Sequence, residues 1–375
     1  MRVLHVADRL SDRGGAYLAL LGLLDALSSS GHEQHLAVGR DDGTMRPPCP
    51  LDIVPGLDSR TRAGVDLEPL LTRLRPDLVH VHNVVNPAVL EWAAGVDAVM
   101  TVQDHRFFCP GRGKWTSGGR VCGDAMGREV CAGCFDDPDY FDDTLALTAE
   151  RLAALQRLRL TVLSSYMRRE LVQVGIPAER VTVVPPVAYR LDLEARADGP
   201  PCLLFVGRLA EAKGIRDAIE AWRRSGSDLP LVVAGTGPLR REVEAEGIEV
   251  LGWLDRRRLS AAYRRAAVVV MPSRWQEPFG IVGLEALTLG TPVAAWESGG
   301  VREWHPGGEL LVPWGDVEGL ARALRIGPDQ RVETPVAFGC DLLTRRLEAV
   351  YAARVASRRA PEENAATLPA TCTGV

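Results

Sequence analysis

The sequence predicts an α/β protein made of two doubly wound domains in series. Three observations carry that reading. Short β-rich runs ending in polar tips alternate with apolar helical stretches from Val3 to Pro186, a polar break bracketed by prolines follows at 186–201, and the alternation restarts at Cys202. Strands alternating with helices imply a parallel sheet covered on both faces, so each half has a core of its own. A chain of 375 residues is long enough for two.

The first strand is VLHVA (3–7), followed by a polar loop containing Gly14 and Gly15 and by an apolar helix that Gly31 stops. QHLAVG (34–39), LVHVHN (78–83), AVMTVQD (98–104), TVLSS (161–165) and VTVVPP (181–186) supply further strands, with a helix through Leu171 ending at Gly175. The stretch 186–201 has no clear periodicity and reads as an interdomain linker. In the second half the strands are CLLFVG (202–207), LPLVVAG (229–235), IEVLGW (248–253), AVVVMPS (267–273), PVAAW (292–296) and ELLVPW (309–314), with helices between them. The domain reading is therefore 1–186 with a Cys-rich insertion at 109–134, then 200–335, then a C-terminal helix over 336–357 returning to the first domain, and a flexible tail at 361–375.

Composition narrows the function classes. The chain is 46% hydrophobic and 25% charged, and its formal charge of −5 argues against a nucleic-acid binder. The basic runs Arg256–Arg258 and Arg264–Arg265 read as solvated helix faces. The N-terminus lacks the apolar core of a signal peptide and no apolar run reaches the roughly 20 residues of a membrane span, so the expected location is the cytoplasm. A peripheral membrane contact through an amphipathic surface helix stays open.

Ligands of doubly wound sheets sit at the carboxyl ends of strands, so a two-domain version binds between its halves. In FVGRLAEAKGI (205–215), Arg208 and Lys213 stand on a loop after a strand and ahead of a helix, where cations, helix dipole and free amides together suit a diphosphate; a surface loop with two charges is the alternative. VAGTGPL (233–239) brings Gly235 and Gly237 to a second strand–helix turn, where small residues admit close backbone approach. EPFGIVGLEA (277–286) opens a helix whose first amides, at Gly280, Ile281 and Val282, lack intrahelical acceptors. Glu277 stands at its mouth. Glu285 lies about two turns in, and its carboxylate either accepts from a vicinal diol such as ribose or meets a neighbouring arginine.

Taken in order, Gly14-Gly15, Arg208 and Lys213, Gly235-Thr236-Gly237, the Glu277–Glu285 pair, SGGVRE (298–303) and ELLVPWGD (309–316) resemble glycosyltransferase family 4, the retaining nucleotide-sugar transferases of the GT-B fold. That resemblance implies two Rossmann-like domains facing each other across a cleft. It implies transfer of a sugar from a nucleoside-diphosphate sugar to a hydroxyl acceptor, with no metal or other cofactor at the reaction centre. Glu285 would take the ribose hydroxyls, Arg208 and Lys213 the diphosphate, and Glu277 the donor sugar. The Phe279–Ile281 amides and the Gly14-Gly15 loop would line the phosphate and sugar. The family's T-x-H-D segment is TVQDHRFFCPG here, with Gln103 in the histidine position, Asp104 kept and His105 two places later. Asp104 and His105 are accordingly acceptor-side candidates for the catalytic set. His80 and His82 alternate on one strand and face one side, His80 as a structural residue and His82 at the cleft edge. Trp115, Tyr140 and Phe141 either stack on a sugar face or form local core. A nucleotide-sugar epimerase of the same fold, or a catalytically silent nucleotide-sugar sensor or partner subunit, are the alternatives.

Four of the eight cysteines, Cys109, Cys122, Cys131 and Cys134, crowd into the insertion. Cys131-x2-Cys134 has zinc-knuckle spacing, and a structural zinc on all four thiolates is the metal reading. Two labile disulfides or four free thiols are the alternatives.

Overall fold

A computed structural model describes residues 1–330, 332 and 338–364. The first domain runs β1 (Arg2–Leu10), α1 (Gly15–Ser29), β2 (Glu33–Asp41), β3 (Leu51–Ile53), α2 (Glu68–Leu74), β4 (Leu78–His82), α3 (Pro87–Gly95), β5 (Val99–Val102), α4 (Arg128–Ala132), α5 (Pro138–Leu155), β6 (Arg159–Val162), α6 (Ser165–Gln173) and β7 (Val181–Val183). The second continues with β8 (Cys202–Val206), α7 (Ile215–Ser225), β9 (Leu231–Ala234), α8 (Arg240–Ala245), β10 (Glu249–Gly252), α9 (Arg256–Arg265), β11 (Ala266–Met271), α10 (Ile281–Thr288), β12 (Val293–Trp296), β13 (Leu311–Val312) and α11 (Val317–Ile326). The chain then forms α12 (Cys340–Asn364).

Every strand pair is parallel. The first sheet has the order β3-β2-β1-β4-β5-β6-β7 and the second β10-β9-β8-β11-β12-β13. Chain direction across each sheet reverses between β1 and β4 and between β8 and β11, and those two crevices are where a doubly wound sheet takes its ligand. Buried strands flanked on both faces explain the continuous apolar runs LVHV and AVVVM.

Two features depart from the sequence expectations. The stretch 186–201 is no loose linker: Val187 and Tyr189 are buried against α1, while Ala188 and Leu191 pack against the second domain's core. Residues that alternate between two cores show no single periodicity, which is why the segment read as unstructured. The C-terminal helix occupies 340–364, later and longer than 336–357, and its Leu343, Leu347, Val350 and Tyr351 join the first-domain core beside α1. Of the tail expected at 361–375, residues 361–364 close this helix and 365–375 lie outside the described residues. Among the described residues no helix is long and apolar enough to cross a membrane.

Candidate active site

The loops at the carboxyl ends of β1, β8 and β11 meet between the domains. A Cβ on Gly15, the first residue of α1 after the β1 loop, would lie 3.2 Å from Ile281 Cγ2 at the start of α10. Trp253 Nε1 donates to Asp12 Oδ2 at 3.2 Å, and Ser164 Oγ to the Pro278 carbonyl at 2.5 Å. The Gln276 amide donates to the Gly113 carbonyl at 2.9 Å. The segments carrying the sequence motifs are thus the ones that face each other.

Glu277 is buried at the end of the loop after β11. Its Oε1 accepts from Lys213 Nζ at 2.7 Å and from Ser273 Oγ at 2.5 Å. Burial opposes the charge, and the ammonium and hydroxyl overcome it, holding the carboxyl below its ordinary value. Lys213 also lies 4.2 Å above the Trp275 ring. It sits on the short turn 211–213 that leads through Gly214 into α7, and Gly214 has φ 70° with its Cβ position 1.8 Å from the Pro272 carbonyl oxygen. Only glycine fits where the β8 and β11 loops touch. Arg208 is exposed and has no ion pair among the described residues. Of the two cations expected to serve a diphosphate, one is thus engaged with Glu277 and one is open.

Glu285 is also buried, and the structure shows what holds it. Arg256 Nη2 lies 2.8 Å from Oε1, and Tyr263 Oη donates to Oε2 at 2.9 Å. The arginine alternative is therefore present, and Arg256 is not part of a solvated face: it turns inward from the first turn of α9. Gly235 and Gly237 are needed for loop packing, since a Cβ would stand 1.8 Å from the Gly207 oxygen and 2.4 Å from that of Leu209. Their small size lets the loops after β8 and β9 press together. Gly280 caps α10 at φ 85°, and Phe279 is buried beneath it with its carbonyl accepting from Trp304 Nε1 at 2.5 Å.

Across the cleft, Gly14 caps α1, and the sheet tips bring together groups that sequence reasoning missed. Asp8 ends near Tyr17, whose hydroxyl donates to Oδ2 at 3.3 Å. Its carboxyl is pushed up to about 6, chiefly by burial. Asp104 is held by Arg106, whose Nε donates to Oδ2 at 2.7 Å, while Arg106 Nη2 reaches Asn83 Oδ1 at 3.0 Å. Burial would raise Asp104, yet the guanidinium wins and its pKa is lowered. The signal available is position alone: Asp8 follows the apolar run VLHVA within β1, and Asn83 follows β4.

His105 is buried, with Nε2 on Tyr166 Oη at 3.0 Å and its ring 5.7 Å from that of Trp275. Burial lowers its pKa to about 4. Its Nδ1, like Gln103 Oε1 and Gln276 Nε2, is buried with no hydrogen-bond partner among the described residues. His82 does not reach the cleft edge. It is buried with His5 and His80, and the ligand atoms of the three lie within 4.8 Å of one another. Both His80 nitrogens are occupied, by Tyr351 Oη and Thr101 Oγ1 at 2.7 Å each, and His5 Nδ1 is 3.0 Å from His82 Nε2. The trio ties α12 to the sheet. Trp115 and Phe141 are buried locally and Tyr140 is exposed. The described cysteines form no disulfide, and no three of the insertion's sulfurs come within 4.8 Å of each other.

A glycosyl transferase 4-like domain model matches residues 14–186, and a glycosyl transferases group 1 model matches 200–326. The chain belongs to this glycosyltransferase family. Curated relatives include the glycogen synthase of Mycobacterium tuberculosis (strain CDC 1551 / Oshkosh), 32% identical over 286 residues, 70% of this chain and 63% of that protein. Alpha-D-kanosaminyltransferase of Streptomyces kanamyceticus is 32% identical over 186 residues, 43% of this chain and 48% of that one. The chain thus spans about half to two thirds of the length of these relatives. Among solved structures, Anabaena Alr3699/HepE in complex with UDP-glucose superposes with a TM-score of 0.66 at 16% identity, covering 96% of this chain and all of that one. The glycosyltransferase neighbours establish the fold as GT-B.

Proposed function

We propose that the chain is a retaining glycosyltransferase that moves a sugar from a nucleoside-diphosphate sugar to a hydroxyl acceptor. The observation that carries this reading is the ion pair of the partly exposed Lys213 with the buried Glu277, which lies between the crevices of two doubly wound sheets and is flanked by the α10 N-terminus. The solved GT-B protein that holds UDP-glucose supports a donor of that class.

In this reading the diphosphate lies over the first turn of α10, where amides and dipole meet it, and Arg208 closes on it from the open side. Charge on the diphosphate grows as the glycosidic bond breaks, so these groups stabilise the transition state more than the bound donor. Lys213 shares its remaining N–H groups with the departing phosphate while staying on Glu277, and Glu277 accepts from the donor sugar's hydroxyls. The carboxylate of Glu285 has lone pairs left beside Arg256 and Tyr263 for the ribose. The leaving phosphate oxygen takes the acceptor's proton, so no protein nucleophile is needed. Asp8, Asp104 and the unpartnered atoms of Gln103 and His105 face the acceptor side and orient its hydroxyls.

The test is incubation with a panel of nucleotide sugars, with and without hydroxyl acceptors, following release of nucleoside diphosphate. Release that acceptor accelerates supports the reading. Saturable donor binding with no release under any acceptor would make the chain a nucleotide-sugar sensor.

A further inference from the structure

We propose that Cys109, Cys122, Cys131 and Cys134 bind one zinc ion as four thiolates, and that the ion fastens the long excursion between β5 and α5 beside the cleft. The claim stands apart from the function proposed above.

The excursion spans residues 103–137 and holds one short turn at His105–Phe107 and the five-residue α4. That is far beyond the roughly 4–6 residues usual between elements. From Thr116 to Val130 no residue is buried, so the segment has almost no core of its own. It nonetheless holds a defined shape. Trp115 and Val121 form an antiparallel bridge, and the Cys122 amide donates to the Lys114 carbonyl at 2.9 Å. The Cys134 amide donates to the Cys131 carbonyl at 3.0 Å, closing the C-x2-C turn, and Ser117 Oγ donates to the Gly133 carbonyl at 2.6 Å. These bonds bring the hairpin carrying Cys122 onto the turn carrying Cys131 and Cys134. A Cβ on Gly111, two residues after Cys109, would lie 3.1 Å from Cys134 Cβ and 3.6 Å from its Sγ.

Four thiols, separated by up to 25 positions in the chain (134 − 109), therefore share one neighbourhood. A cation of charge two can hold four thiolates together, as zinc does at about 2.3 Å. The sulfurs stand wider apart than a bound ion would hold them. Gly123, Gly127 and Gly133, each with open space where a side chain would be, stand beside the ligands. A fold segment that lacks a core gains most from such a staple.

The staple would matter to the cleft because the excursion's tip reaches the second domain. Gly113 accepts from the Gln276 amide, one residue before Glu277, and Arg112 lies 3.7 Å from Glu211. A Cβ on Gly113 would stand 3.0 Å from Trp275 Cε3.

The full chain, purified without chelator, histidine tag or added metal, is assayed by elemental analysis, and about one zinc per chain is expected for a four-thiolate site. Titration with an organomercurial should release that zinc to a chromogenic chelator. Cobalt exchange should give the visible bands and ultraviolet thiolate charge transfer of a tetrahedral four-sulfur site. Cys131→Ser/Cys134→Ser should abolish zinc and expose 109–134 to protease, whereas Cys49→Ser/Cys340→Ser should retain it. If the first double variant does not fold, the mercurial and cobalt measurements on the unaltered chain decide. Metal-free protein with four alkylatable thiols, two disulfides by mass spectrometry, or iron with acid-labile sulfide would each overturn the assignment.

Discussion

The two faces of the cleft are charged in opposite manners. On the second-domain face each buried carboxylate has a cation from its own domain: Glu277 has Lys213, Glu285 has Arg256, and Asp217 has Arg274 at 2.7 and 2.8 Å. On the first-domain face, Asp104 has Arg106, but Asp8 lies among a tyrosine, an asparagine and more distant arginines and is left near a pKa of 6. One face is electrostatically settled before any ligand arrives, and the other titrates. In the proposed function, the settled face is the one that takes the charged donor, and the titrating face is the one that meets the acceptor.

The strongest way to break this contrast is Lys213→Ala. It strands the buried Glu277, and stability should fall by about 3 kcal/mol, the low end for a broken buried pair because Lys213 is partly exposed. Turnover should fall by roughly 10²-fold or more if the ammonium also meets the leaving group. Denaturant titration and nucleoside-diphosphate release measure the two effects separately. Unchanged turnover at intact fold would remove Lys213 from the chemistry.

Glu285→Gln comes next. It keeps the shape and leaves Arg256 uncompensated, and donor affinity should weaken by roughly 1.5–3 kcal/mol, the value of a charge-assisted hydrogen bond. Calorimetric titration with the matched nucleotide sugar checks it. An unchanged affinity would mean that Glu285 serves only Arg256 and Tyr263.

Asp8 and Asp104 give opposite pH responses. Asp8 has a raised folded pKa, so the native state holds its proton more tightly, and stability should fall as pH rises from the ordinary carboxylate range through about 6. Asp104 is lowered, so its contribution is present at neutral pH and lost only as pH drops below that range. Melting temperature against pH for Asp8→Asn should lose the first slope and keep the second. The smallest effect belongs to exposed pairs remote from the cleft: Arg224→Ala, which breaks contacts with Glu220 and Glu318, should leave melting and turnover unchanged.

What the sequence made legible follows from how local each signal is. The alternation of β1, α1 and β2, and its restart at β8, is written in contiguous periodicity, and the motif loops fall at the strand tips where that periodicity puts them. The three-residue β3, between prolines at 50 and 55, carries too little pattern to separate from a loop. Lys213 and Glu277 are 64 residues apart, and Arg256 and Glu285 are 29 apart (285 − 256), so neither pairing has a sequence trace. A basic run looks the same whether its first arginine faces water or a buried carboxylate. Alternation along β4 points His82 to a cleft edge and the TVQDH motif makes His105 a candidate, but the His5 and Trp275 rings that pack against them come from elsewhere in the chain.

The stereochemistry of donor cleavage tests the central claim most directly. With an α-linked nucleotide sugar and water as acceptor, the anomer released can be followed by proton NMR before it mutarotates. A settled donor face that stabilises the leaving diphosphate on the side the acceptor enters should release the α-anomer first, and Glu277→Gln should slow that release. Initial release of the β-anomer would contradict the account, as would α-release unaffected by Glu277→Gln.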